Sequence, residues 1–214
     1  MRPLVLLAPV LVLLEACGSS RPVEGGPSTP AAQTDGEAEL ARLLPLEDNT
    51  VFSYDTTSEG TESRGLLIVQ ITRPRRGRAD LRMGSKTERL ELEPEGISYV
   101  EGGYLLKTPL TAGSVWRGRS GPVRLVSTDE SVTIPAGRFE GCARTVEDTH
   151  EATFSRSVTS VYCPHVGLVS VDVEATSTDG HARETAVLRS FGPRVDIAPD
   201  SITTTGNDVV GPAR

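Results

Sequence analysis

The cysteines are the residues of this chain whose type and spacing could do specific chemistry, and Cys142 and Cys163 form a pair in its strand-rich part. Outside the cytoplasm, a neighbouring pair oxidises to a disulfide. Two buried free thiols are a second interpretation, and a Cys₂His₂ metal site with His150 or His165 is a third. No CxxC or HxxxH spacing supports the metal site. The pattern favours the disulfide and leaves the other two interpretations open.

The spacing of the two cysteines is compatible with a pair inside one hairpin. A turn centred between Ala152 and Thr153 would place Cys142 and Cys163 directly opposite each other. The polar stretch 148–151 indicates a turn one or two residues earlier, and a β-bulge or a longer loop would make up the difference. In the chain-entropy model, closing a loop of about 20 residues stabilises a fold by about 3 kcal/mol.

The third cysteine, Cys17, follows a short apolar segment. Leu4–Leu14 is almost wholly apolar, and about 11 residues of helix rise about 16 Å, roughly half of a hydrocarbon core. The segment is too short to span a membrane and is typical of a secretory signal. Leu14-Glu15-Ala16-Cys17 resembles a bacterial lipobox, although Glu15 stands where a small or hydroxyl residue is usual.

The lipobox resemblance implies that the signal is cleaved after Ala16 and that Cys17 carries acyl chains such as palmitate, which give stable membrane anchoring. Gly18 follows the cysteine, and in many Gram-negative bacteria the absence of aspartate at this position directs lipoproteins to the outer membrane. We expect an outer-membrane lipoprotein whose domain faces the periplasm or the cell surface. The alternative is an ordinary secretory signal cut near Ala16, which leaves Cys17 as a free thiol.

Composition and charge argue against several classes of function. The net charge of −7 and the absence of an extended basic face are unfavourable for nucleic-acid binding. Residues 73–78 contain four arginines with Pro74 and Gly77. We interpret them as a β-turn with solvated arginines, and a phosphate or lipid-headgroup patch is the alternative. Because the sequence contains no nucleophile elbow, P-loop or dinucleotide fingerprint, we expect a non-catalytic protein without metal or cofactor.

Changes in composition divide the chain into four parts. We interpret residues 1–16 as the signal peptide and residues 17–38 as a lipidated tether, because the latter are rich in Ser, Pro, Gly and Glu. Residues 39–191 form the β domain, which begins with a short helix at Glu39–Leu44 that Pro45 ends. Residues 192–214 lose the strand periodicity, and we expect them to form a flexible C-terminal tail.

From Thr50 onward, apolar and polar residues alternate at a period of two, which is typical of β-strands. Turn residues punctuate these stretches, and Pro122–Ser127 with Glu130–Ile134 is interpreted as a hairpin whose turn lies near Asp129. We predict a mainly β fold, a single antiparallel meander of about ten to twelve strands with little helix. Such a sheet must curl into a half-barrel, a barrel or a sandwich to bury one face.

Two Pro/Gly turns carry a family resemblance. Val-Thr-Ile-Pro-Ala-Gly-Arg-Phe at 132–139 and Tyr-Cys-Pro-His-Val-Gly-Leu-Val at 162–169 resemble the V-x-V-P-A-G-x-F…Y-x-P-x-V-G-L-V pattern of uncharacterised bacterial envelope proteins. Those proteins are similar in architecture to the curved-sheet LolA/LolB lipoprotein carriers, and the resemblance implies no activity and no catalytic residue. We interpret the motif residues as structural: Pro135, Gly137, Phe139, Pro164 and Gly167.

Two functions are compatible with these features. In the first, the concave face of the tethered sheet binds a lipid, a peptide or a strand of an envelope protein. In the second, side chains fill the core, and the protein is a structural envelope lipoprotein that acts through its surface or its anchor. Whether the concave face is filled separates the two functions.

Overall fold

The computed structural model describes residues 35–59 and 64–195. The predicted signal peptide, Cys17, most of the predicted tether and the chain beyond residue 195 lie outside the described residues. All described residues belong to one structural unit, Gln33–Arg214.

Twelve antiparallel strands and one helix make up the described part of the chain. This confirms the predicted mainly β fold with little helix. The elements are α1 (Asp35–Leu43), β1 (Thr50–Ser58), β2 (Arg64–Arg75), β3 (Arg78–Met83), β4 (Lys86–Glu93), β5 (Gly96–Tyr99), β6 (Tyr104–Lys107), β7 (Val115–Arg117), β8 (Pro122–Ile134), β9 (Gly137–His150), β10 (Phe154–Cys163), β11 (Gly167–Ser177) and β12 (Gly180–Pro193).

The sheet consists of two meanders, which are joined where the first strand of the chain pairs with the last. β1 to β6 and β7 to β12 each pair in chain order, and β1 pairs with β12. The strands β6 and β7 are therefore the two edges, and curling brings them together in a nearly closed barrel. Side chains bridge this seam: Trp116 Nε1 donates a hydrogen bond to the Tyr104 backbone oxygen over 3.2 Å, and Arg119 Nη1 lies 2.6 Å from Glu88 Oε2.

The helix α1 begins earlier than the sequence predicted. The expected span was Glu39–Leu44, whereas residues 35–38, assigned to the tether, form its first turn. Asp35 and Glu37 lie in that turn, where negative charge is favoured by the helix dipole. Leu40 and Leu43 are buried and fix the helix against the sheet. Among the described residues, no helix is long and apolar enough to cross a membrane.

The predicted hairpin with a turn near Asp129 is wrong, because β8 is one continuous strand. Both of its halves pair with the 14-residue β9, and three register shifts between Leu125 and Val132 accommodate the polar run. The reversal occurs instead at Pro135–Gly137, where Gly137 has a φ of 140°. The stretch around Asp129 contains no Gly or Pro to stabilise a tight turn.

Side chains fill the interior of the curled sheet. The largest fully buried ones come from strands all around it and belong to a single apolar cluster. Burying a large apolar side chain contributes about 1.5–3 kcal/mol, so the interior is the main source of stability. These fully buried residues include Leu90, Leu106, Leu125, Tyr162, Val169 and Leu188.

Candidate functional site

The candidate site is built around a hairpin that extends beyond its neighbouring strand. β9 pairs with β10 from Ala143 onward, because β10 ends at Cys163. The second half of β8 and the first residues of β9 continue past that end, paired with each other. We call this extension, residues 126–142, the arm.

The arm folds back over the sheet. Gly141 has a φ of 67°, a left-handed conformation that favours glycine, and it marks the bend. At the tip, the N–H of Ala136 donates a hydrogen bond to the backbone oxygen of Leu188 over 3.2 Å. Leu188 belongs to β12, which is separated from β9 by β10 and β11. The tip therefore crosses two strands to reach a third.

The arm covers the outer face of the sheet. Arg144, Val161, Ser170 and Val187 are directly paired across β9, β10, β11 and β12 and so point to one face. Their chain neighbours Ala143, Tyr162, Val169 and Leu188 are buried on the opposite, interior face. The arm residues 132–134 line one groove together with the four outward-facing residues. We call this the arm groove.

A disulfide joins Cys142 to Cys163 at the base of the arm, with an S–S distance of 2.06 Å. This is the first of the three interpretations of the pair. The register of β9 and β10 runs without a shift from Ala143 opposite Tyr162 to His150 opposite Ser155, so no bulge is needed. Both cysteines are 0% exposed. A buried cross-link of this kind holds the base of the arm and is not a reactive thiol site.

The first motif turn forms the tip of the arm. Pro135 is exposed in the turn and Gly137 has a positive φ, so these two residues reverse the chain. Phe139 is partly buried and packs against the apolar cluster. These positions shape the tip that reaches β12, and they hold no group that could act on a substrate.

The second motif turn connects β10 to β11 and contacts α1. His165 has a φ of 63°, and its N–H donates to the Arg42 backbone oxygen over 2.7 Å. Gly167 has a φ of 101°, and a β-carbon there would lie 3.1 Å from Leu44. Pro164 lies 3.8 Å from the position of a β-carbon at Gly141, so this turn packs against both the helix and the bend of the arm.

The arm groove has a volume of about 560 Å³ and is open to solvent along one side. Its floor is the outer face of β10 to β12. Hydroxyl, short apolar and charged side chains are mixed on this floor. The hydroxyl residues that line it are Thr133, Ser157, Thr159, Ser170 and Thr185.

Each charged side chain that lines the arm groove forms an ion pair. Arg144 Nε lies 2.7 Å from Glu130 Oε1, and Arg183 Nε lies 3.0 Å from Asp172 Oδ1. These hydrogen bonds raise the pKa of both arginines, so the guanidinium groups stay charged and paired. Because Arg144, Asp172, Glu174 and Arg183 line the groove, two positive and two negative groups balance in it.

The β8 side of the arm borders the groove with an unpaired strand edge. β7 pairs only with Pro122–Arg124 of β8, and Leu125 completes the contact through Gly113 and Ser114. Within the described residues, 126–134 therefore have no strand on the side away from β9. Three consecutive residues, 132–134, line the groove. Successive side chains of a strand point to opposite faces. Three consecutive residues can therefore line the same groove only where the edge of the strand faces that groove.

The described residues that could bind a metal ion or act as catalytic groups do not form a cluster. Within residues 35–59 and 64–195, no three His, Cys, Asp or Glu side chains could hold a metal ion. The hydroxyl of Tyr54 and the carboxylate of Glu147 serve the fold: Tyr54 donates to the Leu168 backbone oxygen over 2.9 Å, and Glu147 Oε1 accepts the N–H groups of Ser120 and Gly121. Cys17, the predicted lipidation site, lies outside the described residues.

Sequence reasoning did not predict the arm groove. The signals that could have suggested it are Gly141 inside a long strand, which is typical of a bend, and the Ser/Thr run on the outward positions of β10. Neither signal predicts which strand the bent hairpin contacts, because the Ala136–Leu188 hydrogen bond joins distant parts of the chain.

No family model and no curated protein matches the chain. Solved structures that align with it include a "putative lipoprotein" from Parabacteroides distasonis ATCC 8503, at 13% identity and a TM-score of 0.47, over 70% of this chain and 98% of that one. A "putative exported protein with YmcC-like fold" from Bacteroides fragilis NCTC 9343 aligns at 10% identity and a TM-score of 0.43, with the same coverage. Likenesses this distant carry no conclusion about function.

Proposed function

We propose that the chain is a non-catalytic lipoprotein of the bacterial outer membrane whose β domain binds an extended segment of a partner protein in the arm groove. The observation that carries this proposal is the unpaired edge of β8 at an open groove. A strand edge offers N–H and C=O groups to an incoming extended chain, and pockets beside it select alternate side chains.

The filled interior argues against a carrier that holds lipid inside the sheet. Tyr162, Leu125 and Leu188 occupy the space that an acyl chain would need, and each is fully buried. The filled interior leaves no room for any of the ligands predicted for the concave face, so we place the proposed binding on the outer face of the same strands.

The chemistry of the groove suggests which segment would fit. Arg144 and Arg183 are already paired with carboxylates, so a charged side chain entering the groove would find no unpaired partner among them. Val132 and Val187 are partly exposed and offer apolar contacts, and Thr159 and Ser170 offer hydroxyls. We therefore expect an extended segment with small apolar and hydroxyl side chains at alternate positions.

The groove is tested with an array of synthetic extended octapeptides and a variant that fills it. Thr159→Trp places an indole on the groove floor, and we expect binding of the selected peptides to fall at least tenfold. Thr72→Trp is the matched control, because Thr72 is also a partly buried threonine on the outer face, on β2, away from the groove. Equal binding by the two variants, or no peptide bound by the unaltered protein, would contradict the proposal.

The anchor is tested separately. The lipobox resemblance supports acylation of Cys17, so radiolabelled palmitate should enter the unaltered chain and be absent from Cys17→Ser. Labelling that persists in Cys17→Ser would exclude this anchor.

A structural envelope lipoprotein is the second candidate function, and the filled interior is the observation that favours it. Such a protein would act through its anchor and surface and would need no ligand. An array in which no peptide binds, together with normal palmitate labelling, would select this function over the first.

A further inference from the structure

We propose that the β2–β3 hairpin docks on the anionic lipid headgroups of the membrane that holds the chain. The docking surface, which we call the basic tip, consists of Arg73, Arg75 and Arg76. The inference rests on the proposed anchor at Cys17 and adds a second, protein-borne contact with the same membrane.

The basic tip lies at the end of the barrel where the chain enters from the anchor. α1 is the first described element, and its residues Leu40 and Ala41 line one groove of about 450 Å³ with Arg73 and Arg76. The N–H of Arg73 also donates to Asp48 Oδ1 over 2.7 Å, in the loop that follows α1. The helix and the tip are therefore neighbours.

The length of chain before α1 allows the tip to reach the bilayer. About 18 residues separate Cys17 from Asp35, which at full extension span at most about 65 Å. An anchored Cys17 keeps the helix end of the domain within this distance of the membrane. The opposite end of the barrel is separated from the helix end by about the length of β12, which has 14 residues.

The arginines of the tip are available for an external anion. Arg75 and Arg76 are exposed, and none of the three tip arginines forms an ion pair within the described residues. The next arginine along the hairpin, Arg78, is paired with Asp80 at 3.3 Å and is not counted in the tip. Four arginines in six residues thus leave three positive charges without a carboxylate partner.

The neighbouring acids favour a surface over a small anion. Glu37, Glu47 and Glu93 line the groove beside the tip, so a free anion inside that groove would meet three carboxylates. Arg75 does not line that groove, and both Arg75 and Arg76 are exposed at the hairpin turn, where a flat surface can reach them. A membrane presents many phosphates at once, and each arginine near an anionic surface strengthens binding roughly fivefold.

The test uses the mature chain, residues 17–214, carrying Cys17→Ser, so that no acyl chain contributes. Co-sedimentation with phosphatidylglycerol/phosphatidylcholine vesicles should exceed that with phosphatidylcholine alone at about 0.1 M salt and should disappear at about 1 M. Arg75→Gln/Arg76→Gln should weaken binding about 30-fold. The control, Arg89→Gln/Arg124→Gln, removes two exposed arginines from β4 and β8 and should change binding by less than about twofold.

Three results would overturn the inference: no preference for phosphatidylglycerol, unchanged binding by Arg75→Gln/Arg76→Gln, or an equal loss in the control pair. Thermal unfolding of both variants checks that they are folded. Failure of palmitate labelling with intact vesicle binding would overturn the anchor alone, whereas intact labelling without vesicle binding would overturn the basic tip alone.

Discussion

The strands β9 to β12 have two unlike faces, and neighbouring residues of each strand belong to opposite faces. On the interior face, Tyr162 and Leu188 are fully buried in a filled core. On the outer face, the neighbour of Leu188, Val187, is partly exposed and lines the arm groove, whereas Val161, the neighbour of Tyr162, lies at the bottom of the groove and is 2% exposed. Because side chains alternate along a strand, adjacent residues lie on different faces: one face fills the core, and the other carries the groove to which we assign the proposed binding.

The largest effect should separate two adjacent residues of β12. Leu188→Ala removes a fully buried side chain and should lower the free energy of unfolding by about 2–5 kcal/mol. Val187→Ala, on the partly buried outer face, should cost less than about 1.5 kcal/mol. Urea denaturation measures both, and equal losses would contradict the division into a filled face and an open face.

Removing the disulfide should produce the next largest loss. Cys142→Ala/Cys163→Ala opens a loop whose ends are 21 residues apart and should lower the free energy of unfolding by about 3 kcal/mol in the chain-entropy model. The folded protein should also resist reduction by dithiothreitol, because both sulfurs are buried. A loss below about 1 kcal/mol would indicate that the cross-link does not constrain the unfolded chain.

Alkaline pH should destabilise the interior through its tyrosines. Burial raises the pKa of Tyr54 and Tyr162 above the ordinary value near 10, and burial raises the pKa of Tyr99 to about 12. The unfolded chain therefore loses its phenolic protons first, so the stability present below pH 10 declines as the pH rises from about 10 towards the folded-state values. Tyrosinate absorbance of folded and urea-unfolded protein checks this, and a folded-state titration near pH 10 would contradict it.

The smallest effect is expected at the ion pair between the arm and the sheet. Arg144 and Glu130 are partly exposed, so Glu130→Gln should lower the free energy of unfolding by at most about 1 kcal/mol. Amide exchange in the arm should nevertheless accelerate, because the pair holds the arm near its bend. A loss comparable to that of Leu188→Ala would mean that the arm belongs to the stabilising core.

Local patterns made much of the fold predictable. Alternation of apolar and polar residues located the strands, and Pro135–Gly137 and Pro164–Gly167 carried turn chemistry that the structure uses. Two local predictions gave wrong boundaries: α1 starts at Asp35 among polar residues, and β8 runs through Asp129 because β9 offers partners to both of its halves. Pairing with another strand overrode local turn preference there.

The arm groove could not be predicted from local patterns. It depends on the contact between the tip and β12, where the N–H of Ala136 donates to the backbone oxygen of Leu188, a residue more than 50 positions further along the chain. That oxygen is available next to a register shift between β1 and β12. A bend at Gly141 indicates that the hairpin turns, but only the packed sheet determines which strand receives it.

Amide hydrogen exchange at Ala136 tests the central claim most directly. The folded-back arm gives this amide a partner in Leu188, so it should be protected to the same degree as the amides of β12. Bound peptide should then add protection along residues 126–134, the unpaired edge. Exchange of Ala136 at the rate of an unstructured amide would show that the arm does not lie on the outer face, and the groove and its proposed function would be contradicted together.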